Sequence, residues 1–401
     1  MHVTGKLTRT ISPARRVAFR VLAGVSEGAF ASDELQERSQ SLDARDAALA
    51  TQLVFGCLRY QSQLDFLIHH FSGRRAAELD EPVRLALRLA IFQVRYLERI
   101  PARAAVHESV ELVKSACRSA TGFVNAVLRK VRREPVAWPS REVELSCPEW
   151  LLGRWSGHFG EDTARSVAEA ALREPPPFVR VAPGTPLPAG LELEPASVPG
   201  AYRVASALPV GTRLHDLGAQ SIIPLLGIRA GDRYLDLCAA PGNKTLQALE
   251  YSPRLVVACD ISFRRLRHVL APCPRLVLDA TKPLPFPAAF DRVFIDAPCS
   301  GTGTLARNPE IKWRLQEGDL ERFAERQRAI LRRGAEALVE GGRLVYATCS
   351  LEREENEDIV QNFLAHERAF TLVQEQWRVP GREEGDGFYA AVLESGGTVS
   401  T

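Results

Sequence analysis

At 401 residues, 45% apolar and 25% charged, the chain has the composition of an ordinary globular protein long enough for two or three domains, which excludes collagen-like, coiled-coil and wholly disordered classes. No segment approaches the roughly 20 consecutive apolar residues of a membrane helix, and Met1 to Arg16 lacks the apolar core of a signal peptide, so a cytoplasmic protein is expected. The net charge of +2 is unevenly placed: residues 1–133 carry 21 Lys and Arg against 13 Asp and Glu, and the remainder carries 30 against 36. A basic first third suggests a polyanionic partner such as RNA.

From Pro13 to about Val131 apolar residues recur every three or four positions, as in Val17, Val21 and Leu22 and in Leu85, Leu89 and Ile91, which predicts six or seven helices and no strand. Ser32-Asp33, Asp80-Glu81-Pro82 and Pro101 suit helix starts, and Ser72-Gly73 a break. The pattern stops at Arg132-Arg133-Glu134-Pro135. Two amphipathic segments follow, Glu149 to Phe159 and Asp162 to Leu172, before Pro175-Pro176-Pro177 excludes helix. Short strand-like pieces near Phe178 to Val181, Leu191 to Glu194 and Tyr202 to Val204 suggest a small mixed connector.

From Ala230 onward apolar or β-branched runs alternate with helical segments: Tyr234 to Leu237, Leu255 to Cys259, Arg275 to Leu278, Arg292 to Ile295 and Arg343 to Thr348, with a late strand at Gly387 to Leu393. This predicts a doubly wound parallel sheet. The expected organisation is an all-α domain at 1–133, a linker and connector at 134–229, an α/β domain at 230–395 and a tail at 396–401.

The segment Leu235-Asp236-Leu237-Cys238-Ala239-Ala240-Pro241-Gly242-Asn243-Lys244-Thr245 joins a strand end, a turn of small residues and a helix start. Ligands of open α/β sheets bind at such strand ends. Asp260 ends the next strand about 20 residues on, where a carboxylate can accept both ribose hydroxyls. The turn lacks the GxGxxG spacing of a dinucleotide site and the GxxxxGK[ST] spacing of a phosphate loop, which disfavours NAD and ATP. S-adenosylmethionine has no pyrophosphate to cradle, so Cys238 through Lys244, with Asp260 for the ribose, Asp279 for the adenine edge and Asp296 beyond, form the expected cofactor site.

Two further segments, Asp296-Ala297-Pro298-Cys299-Ser300-Gly301 and Ala347-Thr348-Cys349-Ser350, end later strands, and a pair of thiols over one methyl donor points to methylation of a pyrimidine carbon. Carbon 5 of a pyrimidine is a poor nucleophile until a thiolate adds at carbon 6. Spacing alone does not decide which cysteine attacks. Cys57, Cys117, Cys147, Cys259 and Cys273 are expected to be buried apolar residues. No CxxC pair occurs, His69-His70 has no ligand-type neighbours, and no metal is expected.

These residues carry a resemblance. Asp236 to Thr245, Asp260-Ile261-Ser262, the Asp291 to Trp313 stretch, Tyr346 to Ser350 with Glu355-Asn356-Glu357, and Asp386-Gly387-Phe388-Tyr389-Ala390-Ala391 resemble the NOL/NOP/Sun RNA cytosine-5 methyltransferases. Leu53 to Arg59, Val106-His107-Glu108-Ser109-Val110 and Phe123 to Arg129 resemble a NusB-type RNA-binding bundle, and the fusion resembles the bacterial RsmB/Sun type. The resemblance implies a Rossmann-like methyltransferase domain behind a NusB-like bundle, S-adenosylmethionine as cofactor, and small-subunit (16S) ribosomal RNA as substrate. It also implies Cys349 as nucleophile and Cys299 as the residue that assists release, with Asp296 as the N3 partner. Lys244, one of six lysines, would orient the base or stabilise a carboxylate near the donor, and Arg180, Arg307 and Lys312 are candidates for phosphate contact. Asn243, His215 and Ala182 depart from the family pattern. A monomer without membrane attachment is expected. The alternatives are the same chemistry on tRNA or another RNA and, from another class, a non-catalytic RNA-binding or ribosome assembly factor.

Overall fold

The computed structural model describes residues 11–206, 208 and 211–396; the expected tail therefore lies outside the described residues from 397 on. The chain forms two compact units. One comprises the residues up to Gly153 with Ala168–Arg173 and Leu305–Arg314, the other Arg154–Val167, Glu174–Thr304 and Leu315 onward.

Among the described residues of the first unit, seven helices occupy the stretch of helical periodicity: α1 (Pro13–Ser26), α2 (Ala31–Arg38), α3 (Ala44–Arg59), α4 (Gln61–Ser72), α5 (Glu81–Tyr96), α6 (Ala102–Ala116) and α7 (Thr121–Leu128). α3 starts at Asp43, whose carboxylate accepts from the Asp46 amide at 2.7 Å and so satisfies one orphan donor of the first turn. Pro82 stands in the first turn of α5, where no amide is needed, and Gly73 ends α4 in the left-handed region at φ 74°. α2 begins one residue earlier than Ser32-Asp33 suggested. The inward faces of these helices supply one core that includes Val21, Leu53, Leu64, Leu67, Leu87 and Ile91.

The ten residues Leu305–Arg314 belong to this helical unit although they lie in the later half of the chain. The Arg59 guanidinium donates to Ala306 O at 2.7 Å, Trp313 Nε1 to Leu58 O at 2.7 Å, and Lys312 Nζ to Arg59 O at 2.9 Å and Ser146 O at 2.7 Å. Lys312 is 1% exposed, and burial pushes its ammonium down to about 8. It holds two carbonyls rather than an RNA phosphate, which corrects the sequence expectation.

After α8 (Arg141–Glu144), α9 (Glu149–Phe159) and α10 (Glu161–Leu172) comes an antiparallel sheet of β1 (Phe178–Arg180), β3 (Ala201–Val204) and β2 (Leu193–Pro195), in that spatial order. The short helix α11 (Leu217–Gln220) precedes the main α/β array: β4 (Arg233–Asp236), α12 (Asn243–Leu249), β5 (Leu255–Asp260), α13 (Phe263–Leu266), β6 (Arg275–Val277), β7 (Phe290–Asp296), then, after α14 (Ile311–Arg314) of the helical unit, α15 (Asp319–Glu336), β8 (Leu338–Thr348), α16 (Glu357–His366), β9 (Phe370–Arg378) and β10 (Phe388–Ser395).

The seven-stranded sheet runs β6-β5-β4-β7-β8-β10-β9. β4 pairs in parallel with both β5 and β7, and β7 with β8, so the chain order reverses between β4 and β7 and leaves a ligand crevice at the strand ends there. β10 and β9 are antiparallel, so the sheet is mostly parallel rather than wholly so. β9 is missing from the sequence reading because it is an exposed edge carrying Gln374, Glu375 and Gln376 and lacks the apolar run of a central strand.

The central strands alternate between two cores. Leu235, Val257, Val293, Ile295, Leu344 and Tyr346 pack with Leu331 of α15 and Val360 of α16; Tyr234, Val256, Phe294, Val345 and Ala347 pack with Ile222, Leu226 and Ala248 of α12. Period-two alternation with apolar residues on both faces is what a sheet covered on both sides requires. A fully buried side chain such as Phe294 contributes about 1.5–3 kcal/mol.

Candidate active site

Four strand ends converge at the reversal of strand order: Asp236 ends β4, Asp260 ends β5, Asp296 ends β7, and Cys349 follows β8. Parallel register brings Asp236 beside Phe294 and Ala258, and Asp296 beside Ala347. The expected site residues are thus gathered by topology from positions spread over more than 100 residues of sequence.

The turn Cys238 to Asn243 is built for close approach. Ala239 and Ala240 are 6% and 5% exposed, and Gly242 has φ +96° with Val269 so near that an added Cβ would fall 2.8 Å from its side chain, which only glycine avoids. Asn243 opens α12 and fixes a neighbouring loop: its Oδ1 accepts from Arg213 and its Nδ2 donates to Leu214 O at 2.9 Å. This departure from the family pattern therefore has a structural partner. His215, in the same loop, is 5% exposed, and burial followed by the charge of Lys244 lowers it to about 2, so it stays neutral.

The Asp260 carboxylate accepts from the Ser262 amide at 2.8 Å and the Ala240 amide at 3.2 Å. These bonds aim it at the turn and leave further lone pairs for two hydroxyls. Ile261, next in sequence, is 68% exposed and offers an apolar surface to a flat base. Asp236 Oδ2 accepts from Thr245 Oγ1 at 2.7 Å, whereas Oδ1 is buried without a partner among the described residues. An orphaned buried acceptor, a glycine turn and an aimed carboxylate fit a nucleoside-bearing ligand with a cationic centre. Asp279 is less committed: it caps a local turn by accepting from the Thr281 amide and hydroxyl, which lower it below the usual carboxylate range.

Lys244 Nζ donates to Asp296 Oδ2 at 2.7 Å and stands 5.0 Å from the centre of the Phe388 ring. Burial works against the ammonium, but Asp296 outweighs it and raises Lys244 above its ordinary value. Of the two roles expected for Lys244, the pairing with a carboxylate is the one present.

Cys299 and Cys349 sit in contact, Sγ to Sγ 3.3 Å. The hydrogen bond with Cys349, followed by burial, pushes the Cys299 thiol well above the usual range, so it remains a thiol at neutral pH. Both loops are pinned by Glu355, which is fully buried. Its carboxylate accepts from the Ser300 amide at 2.9 Å, the Ser300 hydroxyl, the Ser350 hydroxyl at 2.5 Å and Gln327 Nε2 at 2.9 Å. The Gly303 amide donates to Cys349 O at 2.8 Å, and a Cβ on Gly303 would lie 2.8 Å from that same oxygen. Asn356 closes the other side, accepting from Thr348 Oγ1 and donating to Ser350 O at 3.0 Å.

Glu355, Asn356 and Gln327 received no role from the sequence. A Glu-Asn pair six and seven residues after a strand-end cysteine is the signal that was available. Arg180 is not free for phosphate: it forms a two-pronged ion pair with Glu250, both bonds 2.6 Å. Cys57, Cys147 and Cys259 are buried as expected, whereas Cys117 and Cys273 are partly exposed, Cys117 because it ends α6. Among the described residues no cluster of side chains could hold a metal ion, and no helix is long and apolar enough to cross a membrane.

A mostly parallel sheet with a nucleoside-type turn after β4 and two touching thiols after β7 and β8 is the arrangement of a methyltransferase site, and the comparisons with known proteins place the chain in that class. The 16S rRNA methyltransferase RsmB/F model matches residues 223–394 and the NusB family model residues 12–133. The chain is 34% identical to the ribosomal RNA small subunit methyltransferase B of Klebsiella pneumoniae (strain 342) and 35% identical to that of Shigella flexneri serotype 5b (strain 8401), in each case over 92% of this chain and 95% of the relative. It belongs to this family of ribosomal RNA methyltransferases, with a NusB helical domain ahead of a Rossmann-like domain, and is an S-adenosylmethionine-dependent RNA methyltransferase. The solved structure of PH0851 shares the fold at TM-score 0.81 and 23% identity, covering 96% of this chain and 99% of that one. NSun6 from Pyrococcus horikoshii with SFG aligns at TM-score 0.53 and 18% identity, covering 62% of this chain and 98% of that one.

Proposed function

We propose that the enzyme methylates carbon 5 of a cytosine in small-subunit (16S) ribosomal RNA through a covalent bond between Cys349 and the base. The observation that carries this reading is the contact of Cys299 and Cys349 at 3.3 Å beside the Lys244–Asp296 pair. Methylation of an exocyclic amine needs no thiol and would leave both cysteine loops without a task.

Bound S-adenosylmethionine supplies a methyl group on a sulfonium; the Cys238 to Asn243 turn, Asp260 and Asp236 would hold it, with Asp279 at the adenine edge. The Cys349 thiolate adds to carbon 6 and forms a carbon–sulfur bond while N3 gains a proton, making carbon 5 nucleophilic. Asp296 is the N3 partner: as the carboxylate paired with the Lys244 ammonium it passes the proton from that ammonium to N3. Once carbon 5 carries the methyl group, its proton passes to water, the electron pair of that carbon–hydrogen bond re-forms the ring double bond, Cys349 leaves as thiolate, and N3 returns its proton to the Lys244–Asp296 pair. Cys299, held as a thiol against Cys349, assists that departure. A target within folded RNA must first be unstacked, at a cost of a few kcal/mol.

Nucleoside mass spectrometry of unmodified small-subunit ribosomal RNA treated with enzyme and cofactor tests the reading. 5-Methylcytidine is expected; N4-methylcytidine or a methylated purine would overturn it. 5-Methylcytidine formed in tRNA but not in this RNA would keep the chemistry and replace the substrate.

A further inference from the structure

The stretch between Asp260 and Asp279 contains four arginines, one histidine and no acidic residue. In a chain with nearly balanced charge, such a run is notable at the mouth of a cofactor crevice. α13 begins it, and its Leu266 and the following Val269 turn inward, 3% and 1% exposed. Phe263 and Leu270 point the other way at 66% and 71% exposed, with Arg264, Arg267 and His268 exposed around them. The Arg267 guanidinium stands 5.7 Å from the centre of the Phe263 ring. Neither Arg264 nor Arg267 forms an ion pair among the described residues.

Ile261, Phe263 and Leu270, 68%, 66% and 71% exposed, put three large exposed apolar side chains within ten residues, a concentration that marks a contact surface where a single one would not. Arginines stacked on or flanking Phe263, with no carboxylate to neutralise them, fit a strand that presents bases to the ring and phosphates to the guanidiniums. The surface is also tied to the transfer site, because Arg265 Nη2 donates to Ala240 O in the cofactor turn at 2.8 Å. A bound strand here would lie against the cofactor turn, and the order β6-β5-β4-β7-β8 sets it two strands, roughly 10 Å, from the end of β7 that carries Asp296.

We propose that the exposed face of α13, centred on the Phe263–Arg267 pair with Arg264 and His268 beside it, is a docking surface for the single-stranded RNA that flanks the target nucleotide. This rests on the reading of the enzyme as an RNA methyltransferase and adds the place where the substrate strand lies. Phe263 supplies a sequence-tolerant stacking platform, and Arg264 and Arg267 supply phosphate contacts.

The test uses the full-length protein, a single-stranded RNA oligonucleotide as binding probe, and small-subunit ribosomal RNA as methyl acceptor. Phe263→Ala is expected to weaken oligonucleotide binding roughly 5- to 100-fold. Arg264→Ala/Arg267→Ala is expected to reduce the slope of log affinity against log salt by roughly 1.4, about 0.7 per lost phosphate contact. Cofactor affinity by calorimetry should be unchanged in both. Arg229→Ala/Arg254→Ala removes the same charge from exposed positions at the opposite ends of β4 and β5 and should alter neither. The proposal is overturned if the charge-matched control weakens binding as much, if Phe263→Ala binds RNA as the wild type does, or if the losses appear in cofactor affinity instead. Wild-type protein that fails to methylate ribosomal RNA would count against the functional reading, whereas a methylating wild type with RNA-tight variants would count against the surface alone.

Discussion

The sulfurs of Cys299 and Cys349 touch at 3.3 Å although 50 residues separate them in the chain. They follow two adjacent parallel strands, β7 and β8, whose register sets Asp296 opposite Ala347, so the loops emerge side by side and only local hydrogen bonds are needed to bring the thiols together. Such a pair can divide labour: one sulfur bonds to the base while the other helps release it. Cys299→Ala, incubated with S-adenosylmethionine and unmodified small-subunit ribosomal RNA, is expected to accumulate a denaturation-resistant protein–RNA adduct, and Cys299→Ala/Cys349→Ala to form none. If the adduct instead requires Cys299 and persists in Cys349→Ala, the two roles are exchanged.

Glu355 is the fastening between those loops, with no exposed surface and acceptor bonds to Ser300, Ser350 and Gln327. Removing its carboxylate strands several buried donors, each costing about 1–3 kcal/mol. Glu355→Ala is therefore expected to lower stability in urea by about 2–4 kcal/mol and methyl transfer by at least roughly 100-fold, since misplacement by about 1 Å has that effect on a reaction. Glu355→Gln keeps an acceptor oxygen and should recover part of both. A Glu355→Ala enzyme that transfers methyl at the wild-type rate would remove the positioning role.

The helical half of the fold, the doubly wound core and the cofactor turn were legible because each rests on a local pattern: three-and-four spacing from Pro13 to Val131, apolar runs on strands buried on both faces, and small residues between Asp236 and Lys244. What escaped depends on long-range packing. β9 is an edge whose polar residues resemble a loop; Lys312 reads as a surface cation until its ten-residue segment is found inside the helical unit; and Arg180 reads as a phosphate ligand until Glu250 is seen beside it. Glu355 lay within a recognised motif, yet its task follows only from the meeting of the loops after β7 and β8, where Ser300 and Ser350 both reach its carboxylate. Residue type indicates what a side chain can do, and its partner decides which of those things it does.

Under the proposed mechanism Lys244 and Asp296 should behave as a unit, because their 2.7 Å ion pair is the proposed source of the N3 proton. Proton transfer by a positioned group contributes roughly 100- to 10,000-fold. Lys244→Met and Asp296→Ala are each expected to lower the turnover number within that range, and the double variant to fall no further than the worse single, as groups sharing one task do. Steady-state methyl transfer checks this; losses that multiply would show two independent tasks.

Asp236 carries a pH signature. Burial dominates its environment and, against the hydrogen bond from Thr245, raises it from 3.8 to about 7. A carboxyl that ionises near 7 when folded and near 3.8 when unfolded is neutral in the folded protein and charged in the unfolded chain between those values. The unfolded state binds fewer protons there, so stability falls as pH rises from about 4 to about 7. At roughly 1.4 kcal/mol per pH unit, the contribution against folding reaches at most about 4 kcal/mol above pH 7. Asp236→Asn keeps an oxygen for Thr245 and cannot ionise. Its stability relative to wild type in urea is expected to be similar near pH 4 and to become progressively greater up to pH 8. A difference that stays flat across this range would mean that Asp236 does not ionise within it. S-adenosylmethionine, if held at Asp236 as proposed, would favour the ionised carboxylate through its cationic centre and should narrow the gap above pH 7 by stabilising the wild type more than the variant.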